Sequence, residues 1–167
     1  MNRLKATAYP AALWAFAFAA LSFYWALGGT WLANTQSEQI LALSREPWFL
    51  VVVALTGVLK LGAGLVALSL VQRWGTAFPH PLRRFGVGAI GTVLLLYGGA
   101  NLAVRALMAI GLIPTPASMM TPQATWHLIL WDPFFVLGGL LFLLCSTVSS
   151  RKRTKAPGRR GNDKVTV

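Results

Sequence analysis

The sequence predicts an all-α integral membrane protein, a four-helix bundle with both termini in the cytoplasm (N-in/C-in). Of its 167 residues, 56% are hydrophobic and only 11% are charged. A soluble domain carries roughly 25% charged residues. A short chain also has more surface per residue than a long one, so a larger core does not explain the shortage of charge. The excess apolar surface is therefore predicted to face lipid.

Four stretches are long and apolar enough to cross a bilayer, which takes about 20 residues. They are predicted at residues 11–32, 48–71, 85–113 and 125–146. The segments between them contain helix breakers, notably Pro47, Pro79, Pro81, Pro114 and Pro116.

Three parts of the chain follow from these spans. Residues 1–10 are predicted to be a cytoplasmic N-terminus, and residues 11–148 the transmembrane domain. Residues 149–167 are rich in Lys, Arg and Gly without apolar periodicity, which predicts a disordered basic tail.

The distribution of basic residues predicts the orientation. Twelve Lys and Arg lie in the N-terminus, the 72–84 loop and the tail, whereas Arg45 alone lies in the segments on the other side. Because cytoplasmic loops carry the excess of Lys and Arg, the basic side is predicted to be cytoplasmic. The predicted location is a bacterial-type inner (plasma) membrane.

Two smaller features concern the first span and the loop after it. Thr35 and Glu38 have capping-box spacing, so a short interfacial helix is predicted before Pro47. Small residues recur along the first span at steps of three and four, including Ala12, Ala15 and Ser22. Such a stripe lets helices approach closely, either inside the bundle or against a second copy.

Composition argues against several classes of protein. The basic residues lack an interleaved aromatic patch, so nucleic-acid binding is not expected. Cys145 is the only cysteine, which excludes an internal disulfide and a thiolate zinc site. His80 and His127 are predicted on opposite sides of the membrane, which argues against a bis-histidine haem. No cofactor or metal is predicted.

Three ionisable residues lie inside the predicted spans: Lys60, Arg105 and Asp132. A charge at membrane depth is costly and marks a candidate functional site. At 1.5 Å per residue, Arg105 and Asp132 lie at similar depths, about 10–12 Å below the outer boundary, on either side of a short loop. They are therefore predicted to form an ion pair. Lys60 is predicted to face an interior cavity, with Thr56 one turn away as a polar neighbour and Tyr97 at its depth as a hydrogen-bond partner.

Polar and aromatic side chains that are predicted at a similar depth in the membrane complete the candidate site. Tyr97, Asn101 and Arg105 recur every four residues and share one helix face. The predicted ligand-binding or intramembrane polar network comprises Tyr24, Trp25, Lys60, Tyr97, Asn101, Arg105, His127, Trp131 and Asp132. The alternative is a buried network that sets helix register and binds nothing.

Two aromatic-glycine motifs carry a resemblance to a known family. They are Phe-Tyr-Trp-Ala-Leu-Gly-Gly-Thr at 23–30 and Trp-Asp-Pro-Phe-Phe-Val-Leu-Gly-Gly at 131–139. With them, residues 10–148 resemble a family of small bacterial four-helix membrane proteins catalogued as a domain of unknown function. The resemblance implies the architecture and no activity. It also implies that Tyr24, Trp25, Trp131 and Asp132 belong to the region to test.

Several functions are compatible with these features. The first is an outward-facing pocket that binds a small amphipathic molecule such as a lipid, a quinone or an isoprenoid. The others are an accessory or assembly subunit of a larger membrane complex and a small dimeric transporter. An enzymatic role is less favoured, since the sequence shows no nucleophile–base pair and no phosphate loop, and no catalytic residue is assigned. The expected partners are membrane lipids, an amphipathic ligand, and a second copy or another membrane protein.

Overall fold

The computed structural model describes residues 3–154, apart from the side chains of Ser118 and of residues 151–154. Within this range the chain is helical and has no β-strand. The helices are α1 (Arg3–Ala26), α2 (Glu38–Leu43), α3 (Pro47–Ser69), α4 (His80–Ala109), α5 (Pro122–Trp126) and α6 (Asp132–Thr154). A π-helical turn, His127–Trp131, joins α5 to α6.

Four of these helical segments are long and apolar enough to cross a membrane, which confirms the predicted number of spans. They are Arg3–Ala26, Pro47–Ser69, His80–Ala109 and Pro122–Ser150. Helix α1 begins at Arg3, before the predicted start at residue 11, and α6 continues past the predicted end at residue 146, because a helix continues through polar residues once its apolar part is packed. Helix α6 therefore includes the first six residues of the predicted tail, and residues 155–167 lie outside the described residues.

The four long helices form two antiparallel pairs. Helix α1 packs along α3, and α4 packs along α6, while contacts between α1 and α6 join the pairs. Helices α3 and α4 touch much less. One end of the bundle holds Arg3 and residues 70–79 and is called the basic end. The other holds residues 27–46 and 110–121 and is called the long-loop end.

Glycines allow α4 and α6 to pack with their backbones in contact. A Cβ atom added to Gly98 would lie 2.8 Å from the Val136 amide nitrogen, and one added to Gly139 would lie 2.6 Å from that of Leu95. The small-residue stripe of α1 also faces the interior, with Ala12, Ala15 and Ser22 buried. The sequence left open whether the stripe faces the inside of the bundle or a second copy of the chain. In the structure these three residues face the inside of the bundle.

The long-loop end begins with a turn that only glycine adopts readily. Gly28 has φ +88°, and the chain reverses there as the Gly29 amide donates to the Tyr24 carbonyl. The predicted short helix is present as α2, but its cap differs from the prediction. Ser37 accepts a hydrogen bond from the Ile40 amide at 3.4 Å, whereas Thr35 lies in a preceding 3-10 turn.

Candidate functional site

A cavity of about 400 Å³ lies between α1 and α3 at the long-loop end of the bundle. Residues 28–36 and α2 cover it, and Lys60 is its deepest side chain along α3. Its lining residues are Ser22, Trp25, Gly28, Gly29, Thr30, Ala33, Gln36, Ile40, Leu41, Ser44, Arg45, Phe49, Leu50, Val53, Thr56 and Lys60.

Helical periodicity in α3 builds one wall of this cavity. Phe49, Val53, Thr56 and Lys60 are separated by four, three and four residues, which places them on one helix face. This face changes from apolar near the start of the helix to polar at its middle. On the opposite wall, Ser22 and Trp25 are three residues apart on α1 and show the same change, with Trp25 toward the long-loop end and Ser22 at the inner end. Along these two helices the cavity wall is therefore apolar toward the long-loop end and polar at its inner end.

Lys60 has neutral partners at the inner end of the cavity. Its Nζ donates to Ser22 Oγ at 2.7 Å and to Thr56 Oγ1 at 3.4 Å, and lies 3.8 Å from the centre of the Phe18 ring. Both hydroxyls donate their own protons to backbone carbonyls of their helices, so their lone pairs face the ammonium. Within residues 3–154, no carboxylate lies within ion-pair distance of Lys60.

A second cation lines the opposite end of the cavity. Arg45 precedes α3 and is separated from Lys60 by fifteen residues, or about 20 Å along the helix direction. No Asp or Glu lines the cavity between them. An elongated space with apolar walls and a cation at each end suits a molecule that has an apolar body and an electron-rich or negative group.

Tyr24, Trp25 and Trp131 hold the segment that covers the cavity. Trp25 Nε1 donates to the Trp31 carbonyl at 2.8 Å, and the Trp31 amide donates to the Tyr24 hydroxyl at 3.3 Å. Trp131 Nε1 donates to Thr35 Oγ1 at 3.0 Å, and its ring centre lies 5.7 Å from that of Trp25. Hydrogen bonds from both helix pairs therefore fix residues 31–35 over the bundle.

Arg105 and Asp132 form the predicted ion pair. Arg105 Nε donates to Asp132 Oδ2 at 2.8 Å between α4 and α6, and the Asp132 side chain is only 2% exposed. Pro133 follows directly and lacks the N–H that an α-helix would donate to Ile129. A π-helical turn, His127–Trp131, ends directly before Asp132.

The structure separates the nine predicted residues instead of gathering them around one pocket. Only Trp25 and Lys60 line the cavity beside α3. Tyr97 is 54% exposed and packs edge-to-face on Phe135, because α4 lies against α6 and away from α3. The predicted partnership of Tyr97 with Lys60 is therefore wrong, and Ser22 and Thr56 hold the ammonium.

Asn101 and His127 also lie away from the cavity. Asn101 Nδ2 donates to the Tyr97 carbonyl of its own helix at 2.8 Å. His127 is half-buried at the start of the π-helical turn. Near it, Arg105 lines a separate hollow of about 390 Å³ under residues 115–125 at the long-loop end.

Four important residues were not part of the predicted site: Phe18, Ser22, Thr35 and Arg45. Ser22 is a member of the small-residue stripe of α1, and a hydroxyl in such a stripe opposite a buried lysine is the signal that would have found it. Arg45 is the only basic residue in the segments at the long-loop end. The sequence does not indicate the roles of Thr35 and Phe18 at the site, because these roles depend on which helices are neighbours.

Among the described residues, four helices that are long and apolar enough to cross a membrane, with polar contacts buried between them, indicate a helical membrane protein with a cavity between α1 and α3. The chain belongs to the family described as "Protein of unknown function (DUF3995)", whose model matches residues 15–142. The matched range contains both the Lys60 cavity and the Arg105–Asp132 pair. No curated protein and no solved structure matches the chain significantly.

Proposed function

We propose that this protein is a multi-pass protein of a bacterial inner membrane that binds one small amphipathic molecule in the Lys60 cavity. Both termini are cytoplasmic in this proposal, so the long-loop end and the cavity face the outside. The ligand is of lipid, isoprenoid or quinone type, with its polar head at Lys60 and its apolar body toward Phe49. The observation that carries the proposal is a lysine at the inner end of a cavity, without a carboxylate partner among residues 3–154.

The energetics of Lys60 support a ligand. Lysine in the middle of an apolar span is costly, and such residues face cavities and pair with other groups. Two hydroxyls and an aromatic face are neutral partners, so the charge is not compensated within the described part of the chain. An oxyanion among these groups would supply the missing charge and accept a strong, charge-assisted hydrogen bond.

The size and walls of the cavity also support a ligand. Protein interiors normally pack at high density, so an open volume of about 400 Å³ between two helices leaves room for a small molecule. This volume lies within the range of about 300–1,000 Å³ typical of small-molecule sites. With Arg45 and Lys60 as its only charged lining residues, a carboxylate or phosphate head fits better than a neutral quinone ring.

The test compares two phenylalanine substitutions at adjacent positions of α3. Val53 lines the cavity, whereas the Val52 side chain is exposed on the outside of the bundle. Protein purified in mild detergent is titrated with oleate, and the bound fraction is measured by native mass spectrometry. Val53→Phe should lower binding by about tenfold or more, since the added ring occupies the ligand volume, and Val52→Phe should bind as the parent does.

Lys60→Met separates a role in binding from a role in structure. Methionine keeps much of the length of lysine and removes its charge. If Lys60 holds the ligand, the variant should still fold into the same bundle, less stably because the hydrogen bond to Ser22 is lost, and should lose oleate binding. Equal binding by the parent, Val53→Phe and Lys60→Met would rule out the cavity as the ligand site.

A further inference from the structure

A second cavity lies at the basic end of the bundle, far from Lys60. It has a volume of about 320 Å³ and lies between the end of α3, the 70–79 segment and the start of α4. Its apolar walls come from Leu65, Val66, Trp74, Phe78, Leu82 and Gly86. Because α3 and α4 contact each other little, this groove opens sideways between two helices. Its shape suits an extended apolar chain that enters from the lipid.

Arg83 lies at the edge of this groove with part of its guanidinium unpaired. Its Nη1 donates to the Ser69 carbonyl, one of the carbonyl groups at the end of α3 that have no partner within the helix. The Arg83 Nε–H is buried and has no hydrogen-bond partner among the described residues. Because this N–H is enclosed by protein atoms, an outside acceptor reaches the guanidinium from its Nη side.

The charge around the groove indicates the sign of a ligand bound there. Arg73 and Arg84 are exposed at the same end. No Asp or Glu occurs between Glu46 and Asp132, so neither α3, α4 nor the segment between them supplies a carboxylate. Guanidinium groups bind phosphate oxygens through short, charge-assisted hydrogen bonds.

We propose that this groove binds one anionic diacyl phospholipid from the leaflet at the basic end. Its phosphate accepts a hydrogen bond from the Nη side of the Arg83 guanidinium and lies near the positive charge of Arg73. One acyl chain lies along Leu65 and Leu82, with Trp74 at the level of the head group, as is common for interfacial tryptophans. This site is separate from the Lys60 cavity and does not depend on it.

The experiment uses the full chain in detergent with equimolar palmitoyl-oleoyl phosphatidylglycerol and phosphatidylcholine. Native mass spectrometry measures how much of each lipid remains bound as collision energy rises. The wild-type protein should retain one phosphatidylglycerol in preference to phosphatidylcholine. Arg83→Gln should lower this retention about tenfold, because a charged hydrogen bond is lost. Arg84→Gln, which removes the same charge from an exposed neighbour, should change it less than twofold.

A second pair of variants keeps Arg83 and changes only the groove. A Cβ atom at Gly86 would lie 3.3 Å from Val66 Cγ1, so Gly86→Leu fills the groove. Gly99 faces open space on the same helix, and Gly99→Leu is the matched control. Gly86→Leu should lose the retained lipid and Gly99→Leu should keep it, which decides the matter even if Arg83→Gln fails to fold. Equal retention of the two lipids, or unchanged phosphatidylglycerol retention in Gly86→Leu, would overturn the proposal.

Discussion

Lys60 and Ser22 join two helices through a chain of hydrogen bonds at the inner end of the cavity. The Lys60 ammonium on α3 donates to the Ser22 hydroxyl on α1 at 2.7 Å, and that hydroxyl donates to the Phe18 carbonyl one turn back. Ser22 is 1% exposed, and both side chains border the cavity between α1 and α3. The contact therefore fixes the register of α1 against α3 and the direction of the lysine side chain.

Ser22→Ala should destabilise the protein by about 1.5–3 kcal/mol, the range for a hydrogen bond to a charged group. In a Lys60→Met background the same change should cost much less, because the donor has gone. Unfolding in mixed micelles would measure both values as a double-mutant cycle. Thr92→Ala is the control, since its exposed hydroxyl bonds only to its own helix. Equal costs of Ser22→Ala in both backgrounds would show that the contact contributes nothing.

Asp132→Ala should cost about 3–5 kcal/mol, because it leaves the Arg105 guanidinium without its partner in an apolar environment. Replacing both residues by apolar ones, as in Arg105→Met with Asp132→Ala, should recover most of that loss. The free energy of unfolding of the two single variants and the double variant provides the test. Simple additivity of the two single losses would mean that the 2.8 Å contact has no coupling energy.

Gly98→Ala should destabilise the α4–α6 pair by about 1–3 kcal/mol, as overpacking does. Its added methyl group would meet the backbone of Val136 and Asp132, which cannot rotate away as a side chain can. Gly99→Ala should be neutral or stabilising by up to about 1 kcal/mol, since Gly99 faces open space and alanine is the better helix former. Thermal unfolding of the two variants checks the difference. Identical effects would show that α4 and α6 do not approach at Gly98.

The spans and the Arg105–Asp132 pair could be predicted because both depend on distance along the chain. Twenty apolar residues imply a crossing whatever surrounds them, and a short loop brings equal depths on neighbouring helices together. The helix ends were less predictable. The first helix ends at Ala26 and not near residue 32, because the positive φ of Gly28 turns the chain.

The cavity could not be predicted because it depends on which helices are neighbours. Depth alone placed Tyr97 level with Lys60, but α4 packs on α6 while α3 packs on α1. Ser22 was therefore interpreted only as a small packing residue, although it accepts the lysine hydrogen bond. Thr35 was interpreted as a helix cap, although its hydroxyl accepts from Trp131, ninety-six residues away.

The proposed orientation predicts which introduced cysteines react from outside the cell. Cys145 is buried and is first replaced by alanine. Gln39 is exposed on α2 at the long-loop end, and Ala77 is exposed in the loop at the basic end. In intact spheroplasts, a membrane-impermeant maleimide should label Gln39→Cys fully. It should label Ala77→Cys only after permeabilisation, since the twelve basic residues on that side keep it in the cytoplasm. Labelling of Ala77→Cys in sealed spheroplasts, with Gln39→Cys protected, would reverse the orientation and place the mouth of the Lys60 cavity on the cytoplasmic side.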